Sequence, residues 1–227
     1  MTRHRLLLAL LVLTLTAGVS TTVLARAGAG TDHCANVAEG AERRAAVVTG
    51  EGPDVLVIGD SYSVGAGLAP RDSWPVRLPG RVRVDGFSGS GFSRGASPCG
   101  DVTYASRARE SVGARTDLLV VEGGLNDTDQ PRADLERGVA RLTRVLHRVG
   151  LSPEQVVVVG PVAAPARRHQ RVEAVDATLA RMSGEAGYSY LSMLDAELTY
   201  LDDRLHPDAA GHEVFGDLVA AHLATLG

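Results

Sequence analysis

The residue types needed for nucleophilic acyl transfer occur in this chain in two short motifs that are far apart. Ser61 ends the stretch Gly59-Asp60-Ser61, directly after an apolar run. Asp203 and His206 lie three positions apart, so one turn of chain can place the carboxylate behind the imidazole. In such a pair the aspartate fixes the histidine tautomer, and the histidine can accept a serine proton. Each motif also has a simpler interpretation, because serine and aspartate both serve turns.

Polar residues follow the apolar runs in a repeated way, which favours a shared site. Ser61 follows the first run, Gly89 and Gly91 follow the second, and Asn126 follows the third. The aspartate-histidine pair precedes the last helical segment. Because the carboxyl ends of parallel strands meet at one edge of an open sheet, where ligands bind, we expect these four loops to converge there.

The apolar runs predict five strands. Val55 to Ile58 are four consecutive apolar residues, three of them β-branched, as in a strand that is covered on both faces. The five predicted strands are 54–58, 81–84, 117–121, 155–159 and 188–191. Strands of this kind, separated by helical segments, predict a parallel arrangement.

Helical periodicity fills the segments between the strands. Amphipathic patterns cover 132–149, 167–185 and 208–226, and weaker helical signals cover 38–48 and 71–78. In the last helix the pattern predicts five buried residues: Val214, Phe215, Leu218, Val219 and Leu223. The whole order predicts an α/β fold, a three-layer α/β/α sandwich with a mostly parallel five-stranded sheet and right-handed crossovers.

Four segments of the chain resemble the sequence blocks of the SGNH (GDSL-type) hydrolases and occur in the family's order. They are Gly59-Asp60-Ser61, Gly86-Phe87-Ser88-Gly89, Gly124-Leu125-Asn126-Asp127 and Asp203-Arg204-Leu205-His206-Pro207. The resemblance covers about residues 54–225 and implies an SGNH or flavodoxin-like fold. A single block is weak, but four blocks in order at predicted strand ends favour an exported bacterial member of this family of esterases and lipases.

The resemblance implies a role for each matching residue. It makes Ser61 the nucleophile, His206 its base and Asp203 the residue that orients the histidine. It also implies an oxyanion hole formed by Ser61, Gly89 and Asn126. The tetrahedral oxyanion of ester cleavage requires fixed hydrogen-bond donors of this kind, namely two backbone N–H groups and one side-chain amide.

The second block matches the family least well. The family often has asparagine where this chain has Val84, and the motif can be shifted by two residues, which makes Gly91 the alternative glycine. Asn126 has other interpretations too, because Asn126-Asp127-Thr128 is a glycosylation sequon and Asn-Asp pairs are common in turns.

Ser93 is a rival nucleophile, since Gly91-Phe92-Ser93-Arg94-Gly95 fits the nucleophile-elbow pattern G-x-S-x-G. That motif requires a strand that runs directly into it. The second predicted strand ends near Phe87, and further glycine and serine residues intervene. The pattern is therefore interpreted as a chance match in a Gly/Ser-rich loop.

Composition excludes several other kinds of catalysis. All 23 basic residues are arginine, so a Walker-type lysine, a Schiff-base lysine and a serine-lysine dyad are excluded. The formal net charge is −4 and the charges are interspersed, which indicates no nucleic-acid partner. No metal or organic cofactor is expected.

The N-terminus predicts export. Residues 1–27 carry basic residues, an apolar core and a final Ala-Arg-Ala, the order of a secretory signal peptide; an uncleaved anchor is the alternative. An N-terminal extension would cover 28–51 and the hydrolase domain 52–227. The two cysteines, Cys34 and Cys99, predict a disulfide in an exported protein, since the ligands for a metal site are too few.

These observations predict a secreted or cell-envelope serine esterase. Few aromatic residues and no long lid insertion favour small acyl groups such as acetyl. The resemblance implies that carbohydrate or lipid carries these groups. An acyltransferase with the same triad and a cell-envelope or sugar acceptor is the alternative, and a non-catalytic carbohydrate-binding module is the alternative from another class. The sequence predicts no stable membrane span if the signal is cleaved, and it does not indicate an oligomeric state.

Overall fold

The computed structural model describes residues 32–226. The described residues 32–38 are helical and belong to one compact unit. The second unit begins at residue 39, and its residues 39–45 are also helical and are called α1. The predicted signal peptide, 1–27, lies outside the described residues. The predicted disulfide is present, and Cys34 and Cys99 are both disulfide-bonded.

A five-stranded sheet forms the centre of the second unit. Its strands are β1 (Asp54–Gly59), β2 (Arg81–Gly86), β3 (Leu118–Glu122), β4 (Val156–Val162) and β5 (Ser189–Met193). The spatial order is β2-β1-β3-β4-β5, and every neighbouring pair is parallel. β1 is an interior strand, so that Val57 pairs with Val84 on one side and with Val120 on the other. The predicted sheet is confirmed, with strand ends that differ by one to three residues.

Five further helices flank the sheet or join its strands. They are α2 (Ser61–Val64), α3 (Tyr104–Ser111), α4 (Arg132–Val149), α5 (His169–Ala186) and α6 (Ala209–Ala224). The segment 71–78, predicted as helical, forms two 3₁₀ turns, Pro70–Asp72 and Trp74–Arg77. The sequence did not predict α3, because its buried residues include Arg107 and two alanines and show no apolar periodicity.

Alternate residues of β1 point into two separate cores, as expected for a sheet covered on both faces. Val55 and Val57 pack in one core with Trp74, and also with Phe215 and Val219 of α6. The other core contains Leu56 and Ile58 together with apolar residues of α3, α4 and α5: Tyr104, Leu142, Leu146 and Leu179. The three-layer α/β/α prediction is therefore confirmed.

The prediction for α6 is partly wrong. Phe215, Val219 and Leu223 are buried, but Val214 is 41% exposed and Leu218 is 40% exposed. These two positions are one turn apart on the face that points away from the sheet. Because α6 is apolar around most of its circumference, its sequence pattern did not distinguish the covered face from the open one.

Within residues 32–226, no helix is long and apolar enough to cross a membrane.

Candidate active site

Ser61 lies just beyond the carboxyl end of β1, an interior strand of the sheet. β1 ends at Gly59, and Ser61 is the first residue of α2. The Asp60 side chain caps this helix, since its Oδ1 accepts a hydrogen bond of 2.9 Å from the backbone N–H of Tyr62. Capping fixes the sharp change from strand to helix. As a result Ser61 is held at the sheet edge with 9% of its surface exposed.

Gly59 permits the close packing beneath this turn. A Cβ atom at this position would lie 2.0 Å from Ser63 Oγ and 2.6 Å from Glu122 Oε2. Both distances are far below van der Waals contact, and so only glycine fits. The space that glycine leaves is used by a hydrogen bond of 2.6 Å from Ser63 Oγ to Glu122 Oε2.

His206 is oriented by Asp203 through three hydrogen bonds. Asp203 Oδ1 accepts from the backbone N–H groups of Leu205 and His206, each at 2.9 Å. Its Oδ2 lies 2.6 Å from His206 Nδ1. With Nδ1 protonated, Nε2 is left as the acceptor, and it lies 3.0 Å from Ser61 Oγ. The three side chains therefore form a continuous hydrogen-bonded chain.

The loop that carries this pair has a strained backbone and is anchored to the rest of the site. Arg204 has φ of 57° and is the single non-glycine residue with positive φ among the described residues. Its carbonyl accepts a hydrogen bond from Ala166 N–H at 2.9 Å. The hydroxyl of Tyr62 donates to the Leu205 carbonyl at 2.5 Å. These contacts hold His206 against the helix that begins with Ser61.

Asn126 joins the predicted blocks in space. It lies in a 3₁₀ turn after β3, which Gly124 enters with φ of 112°. Its Nδ2 donates to Asp60 Oδ2 at 3.0 Å and to the Ser90 carbonyl at 2.9 Å. Asp60 directly precedes Ser61, and Ser90 directly follows Gly89. The structure thus brings the first, second and third blocks into contact at one amide group.

The two candidate glycines have different surroundings. Gly89 has φ of 79°, and nothing lies within 4 Å of the place where its Cβ would be. Gly91 is buried, and its Cβ would lie 2.5 Å from Asp127 Oδ2. The Asp127 carboxylate accepts hydrogen bonds from the backbone N–H groups of Phe92 at 3.0 Å and Ser93 at 2.7 Å. Asp127 therefore holds the second half of this glycine-rich loop.

The carboxyl groups around Ser61 have opposite electrostatic environments. Hydrogen bonds from the His206 ring and from the backbone N–H groups of His206 and Leu205 lower the pKa of Asp203 to about 2. Burial raises the pKa of Asp60 to about 6, against the effect of the hydrogen bond from Tyr62. Burial, and then the neighbouring Asp60, raise the pKa of Glu122 well above its ordinary value.

Sequence reasoning missed the buried polar residues beneath the site: Glu122, Asp127 and Arg107. Glu122 is 3% exposed, Asp127 1% and Arg107 8%. A carboxylate that ends an apolar strand, as Glu122 does, is the signal that could have indicated it. Arg107 gave no comparable signal, since its helix was not predicted.

Within the described residues, Ser93 has no hydrogen bond to a histidine. Its side chain is 1% exposed, and its Oγ has no hydrogen-bond partner in the described part of the chain. His212 is also buried, and its Nδ1 accepts from the backbone N–H of Trp74 at 3.3 Å, which is a packing role. Within residues 32–226, no group of three His, Cys, Asp or Glu side chains is arranged to hold a metal ion.

Known proteins are similar to this chain in sequence and in fold. Residues 57–214 match the model of the GDSL-like lipase/acylhydrolase family. The fold is similar to Est24, a carbohydrate acetylesterase from Sinorhizobium meliloti, with a TM-score of 0.65 and 15% identity over 78% of this chain and 100% of that chain. It is also similar to the M. smegmatis aryl esterase, with a TM-score of 0.61 and 18% identity over the same shares. No curated protein sequence matches the chain.

The family match extends over well over half of the chain and includes the first three blocks completely, together with the segment of Asp203 and His206. It confirms the resemblance on which the sequence analysis relied. This chain belongs to the GDSL-like lipase/acylhydrolase family and is a serine ester hydrolase.

Proposed function

We propose that this protein is an exported esterase that hydrolyses carboxylic esters through an acyl-enzyme on Ser61. The observation that carries the proposal is the hydrogen-bonded chain from Ser61 Oγ through His206 to Asp203, with distances of 3.0 Å and 2.6 Å. An alcohol, an imidazole and a carboxylate in this order are the requirements for activating a serine nucleophile.

The proton moves along this chain in two steps. His206 Nε2 takes the proton of Ser61 Oγ as the oxygen attacks the ester carbonyl, and it then gives that proton to the leaving alcohol. In the second step His206 removes a proton from the water that attacks the acyl carbonyl, and it returns that proton to Ser61 Oγ as the bond to the acyl group breaks and the acid leaves. Asp203, ionised at neutral pH because its pKa is about 2, stabilises the imidazolium that forms in each step.

Three donors are proposed for the oxyanion: the backbone N–H groups of Ser61 and Gly89, and Nδ2 of Asn126. Gly89 is preferred to Gly91, because Gly91 is packed against the Asp127 carboxylate while Gly89 is partly exposed. Asn126 would exchange its hydrogen bond to the Ser90 carbonyl for one to the oxyanion. Loss of one such donor typically costs about 3 kcal/mol of transition-state stabilisation.

The proposed substrates are esters of small acyl groups on carbohydrate or lipid. The Asp203 side chain is 47% exposed, so this end of the site is open to solvent. Export is supported by the N-terminal pattern of residues 1–27 and by the disulfide, which is typical of proteins that leave the cytosol. Est24 is described as a carbohydrate acetylesterase, which agrees with an acetyl ester as the first substrate to test.

The test is hydrolysis of p-nitrophenyl acetate, butyrate and octanoate by the purified protein, with Ser61→Ala and Ser93→Ala as matched variants. We expect turnover that falls with chain length and that Ser61→Ala abolishes, while Ser93→Ala retains it. An inactive Ser93→Ala together with an active Ser61→Ala would overturn the assignment. Product analysis with and without glycerol separates hydrolysis from acyl transfer, and preference for octanoate would contradict the small-acyl proposal.

A further inference from the structure

Arg107 is a buried arginine whose guanidinium lies beneath the candidate active site. It belongs to α3 and is 8% exposed, which is unusual for arginine unless every donor is paired. Its guanidinium carbon lies 5.3 Å from the centre of the Tyr104 ring, and this ring covers one side of the charge. The ester-hydrolysis mechanism proposed above does not use this residue.

The guanidinium connects four separate places along the chain. Nη2 donates to the Gly59 carbonyl at 2.8 Å and to Ser90 Oγ at 2.9 Å. Nη1 donates to the Asp85 carbonyl and, at 2.9 Å, to Asp85 Oδ1. Nε donates to the Val102 carbonyl at 3.3 Å. All five N–H groups that arginine possesses therefore have acceptors.

Two of these places belong to segments that carry proposed oxyanion donors. Gly59 is two residues before Ser61, and Ser90 directly follows Gly89. The Ser90 carbonyl also accepts from Asn126, so one fixed serine lies between the arginine and the side-chain donor. The guanidinium thus sets the distance between the end of β1 and the glycine loop, and with it the separation of the two backbone N–H groups.

The charge of Arg107 also acts on the carboxyl group next to Ser61. Asp60 faces several groups: the Tyr62 N–H of α2, the Asn126 amide, and the charged or ionisable side chains of Glu122, Asp127 and His206. Arg107 lowers the pKa of Asp60 and of Glu122, in opposition to burial. An ionised Asp60 accepts from both Tyr62 and Asn126, and Arg107 favours that state.

We propose that Arg107 is a positioning residue for ester hydrolysis, which holds the glycine loop and the end of β1 at the separation that the oxyanion requires. This inference rests on the proposed function of Ser61. Displacement of catalytic groups by about 1 Å can reduce the rate about 100-fold, so removal of the guanidinium should reduce kcat with little change in KM.

The experiment compares Arg107→Met, Arg107→Lys and Arg109→Met with the wild type on p-nitrophenyl acetate. Arg109 is the matched control, since it is exposed on the same helix. The active fraction is titrated with a serine-directed phosphonate, so that kcat refers to folded protein. We expect kcat about 100-fold lower in Arg107→Met, about 10-fold lower in Arg107→Lys, KM within about 3-fold, and no change in Arg109→Met.

The pH profile provides a second readout that a purely structural role would not change. Without the positive charge, the acid side of the kcat profile should move to higher pH in Arg107→Met, and Arg107→Lys should restore its position.

If Arg107→Met does not fold, Ser90→Ala removes one acceptor and should lower kcat about 10-fold. A kcat per titrated site within 3-fold of the wild type in the folded variant would overturn the proposal. If the proposed function itself is wrong, the result is different: the turnover of the wild type will not depend on Ser61.

Discussion

The site contains two polar regions that differ in almost every physical respect. The triad loop, residues 203–206, is open to solvent, and the Asp203 side chain is 47% exposed. The buried polar cluster, which we define as Asp60, Glu122, Asp127 and Arg107, lies beneath Ser61, and each member is at most 8% exposed. Asp203 has a pKa of about 2, whereas burial raises the pKa of Asp60 to about 6.

If Asp203 and His206 act as proposed, one region of the site does the chemistry and the other supports it. In the triad loop, water and three donated hydrogen bonds stabilise the Asp203 carboxylate, so its charge needs little stabilisation by groups from other elements. In the buried polar cluster, carboxyl groups lose hydration and must be compensated by neighbours from several elements. We therefore expect changes in the triad loop to affect rate alone, and changes in the buried polar cluster to affect stability as well.

The largest effect is expected from Asp203→Asn. The amide cannot stabilise the imidazolium or hold the productive tautomer, so kcat for p-nitrophenyl acetate should fall about 10³- to 10⁴-fold. Since the loop is exposed, the free energy of unfolding should change by no more than about 0.5 kcal/mol. Asp202→Asn, a change at the exposed neighbouring residue, is the control and should change neither quantity. A large loss of stability in Asp203→Asn would remove the contrast between the two regions.

The same contrast explains what the sequence could predict. Asp203 and His206 are three residues apart, so their contact follows from one turn of chain and needs no knowledge of the fold. The strands and their order of polar loops were also predictable, because β1 and β3 are apolar runs with glycine and polar residues at their ends.

The buried polar cluster could not be predicted in this way. Arg107 comes from a helix without apolar periodicity, and its acceptors at Gly59 and Ser90 are distant in sequence. The sequence also did not predict that the apolar residues Val214 and Leu218 are exposed, because composition alone does not say which face of α6 is covered. Contacts between elements require the three-dimensional arrangement.

A second effect is expected from Asp127→Ala, in the buried polar cluster. This change leaves the N–H groups of Phe92 and Ser93 without acceptors in a buried loop. The free energy of unfolding in urea should decrease by about 3 kcal/mol, and kcat should fall too because the glycine loop loses its anchor. Asp129→Ala, which removes an exposed partner of Arg171, should cost less than about 1 kcal/mol. Equal stability of the two variants would contradict the structural role of Asp127.

A third effect should appear as pH dependence of stability. Burial lowers the pKa of His212 from an ordinary value near 6.5 to about 4. Between these values the unfolded chain binds a proton that the folded chain does not, so stability from this group is full above pH 6.5 and is lost as pH falls towards 4. The loss should be about 2 to 3 kcal/mol in wild type.

His212→Asn removes this titration while keeping an acceptor for the Trp74 N–H. Unfolding free energies measured from pH 8 to pH 4 should therefore fall less steeply in His212→Asn than in wild type. His147→Asn, at an exposed position of α4, should retain the wild-type slope. Parallel pH curves for wild type and His212→Asn would show that His212 is not the titrating group.

The smallest effect, and the sharpest test of the buried polar cluster, is expected from Glu122→Gln. Burial and Asp60 hold the pKa of Glu122 well above its ordinary value, which favours the neutral carboxyl, and glutamine is nearly isosteric with that form. The carbonyl oxygen of glutamine can still accept from Ser63 Oγ, so the cost at pH 7 should be below about 1 kcal/mol. A raised carboxyl pKa contributes stability that is full below the ordinary pKa of 4.5 and is lost as pH rises above it, so the variant should lose less stability than wild type as pH rises from 4.5. Glu110→Gln, an exposed change in α3, is the control and should follow the wild-type curve. A steep loss of stability in Glu122→Gln at pH 7 would mean that the carboxyl is ionised there, and the two regions would then differ in burial but not in charge.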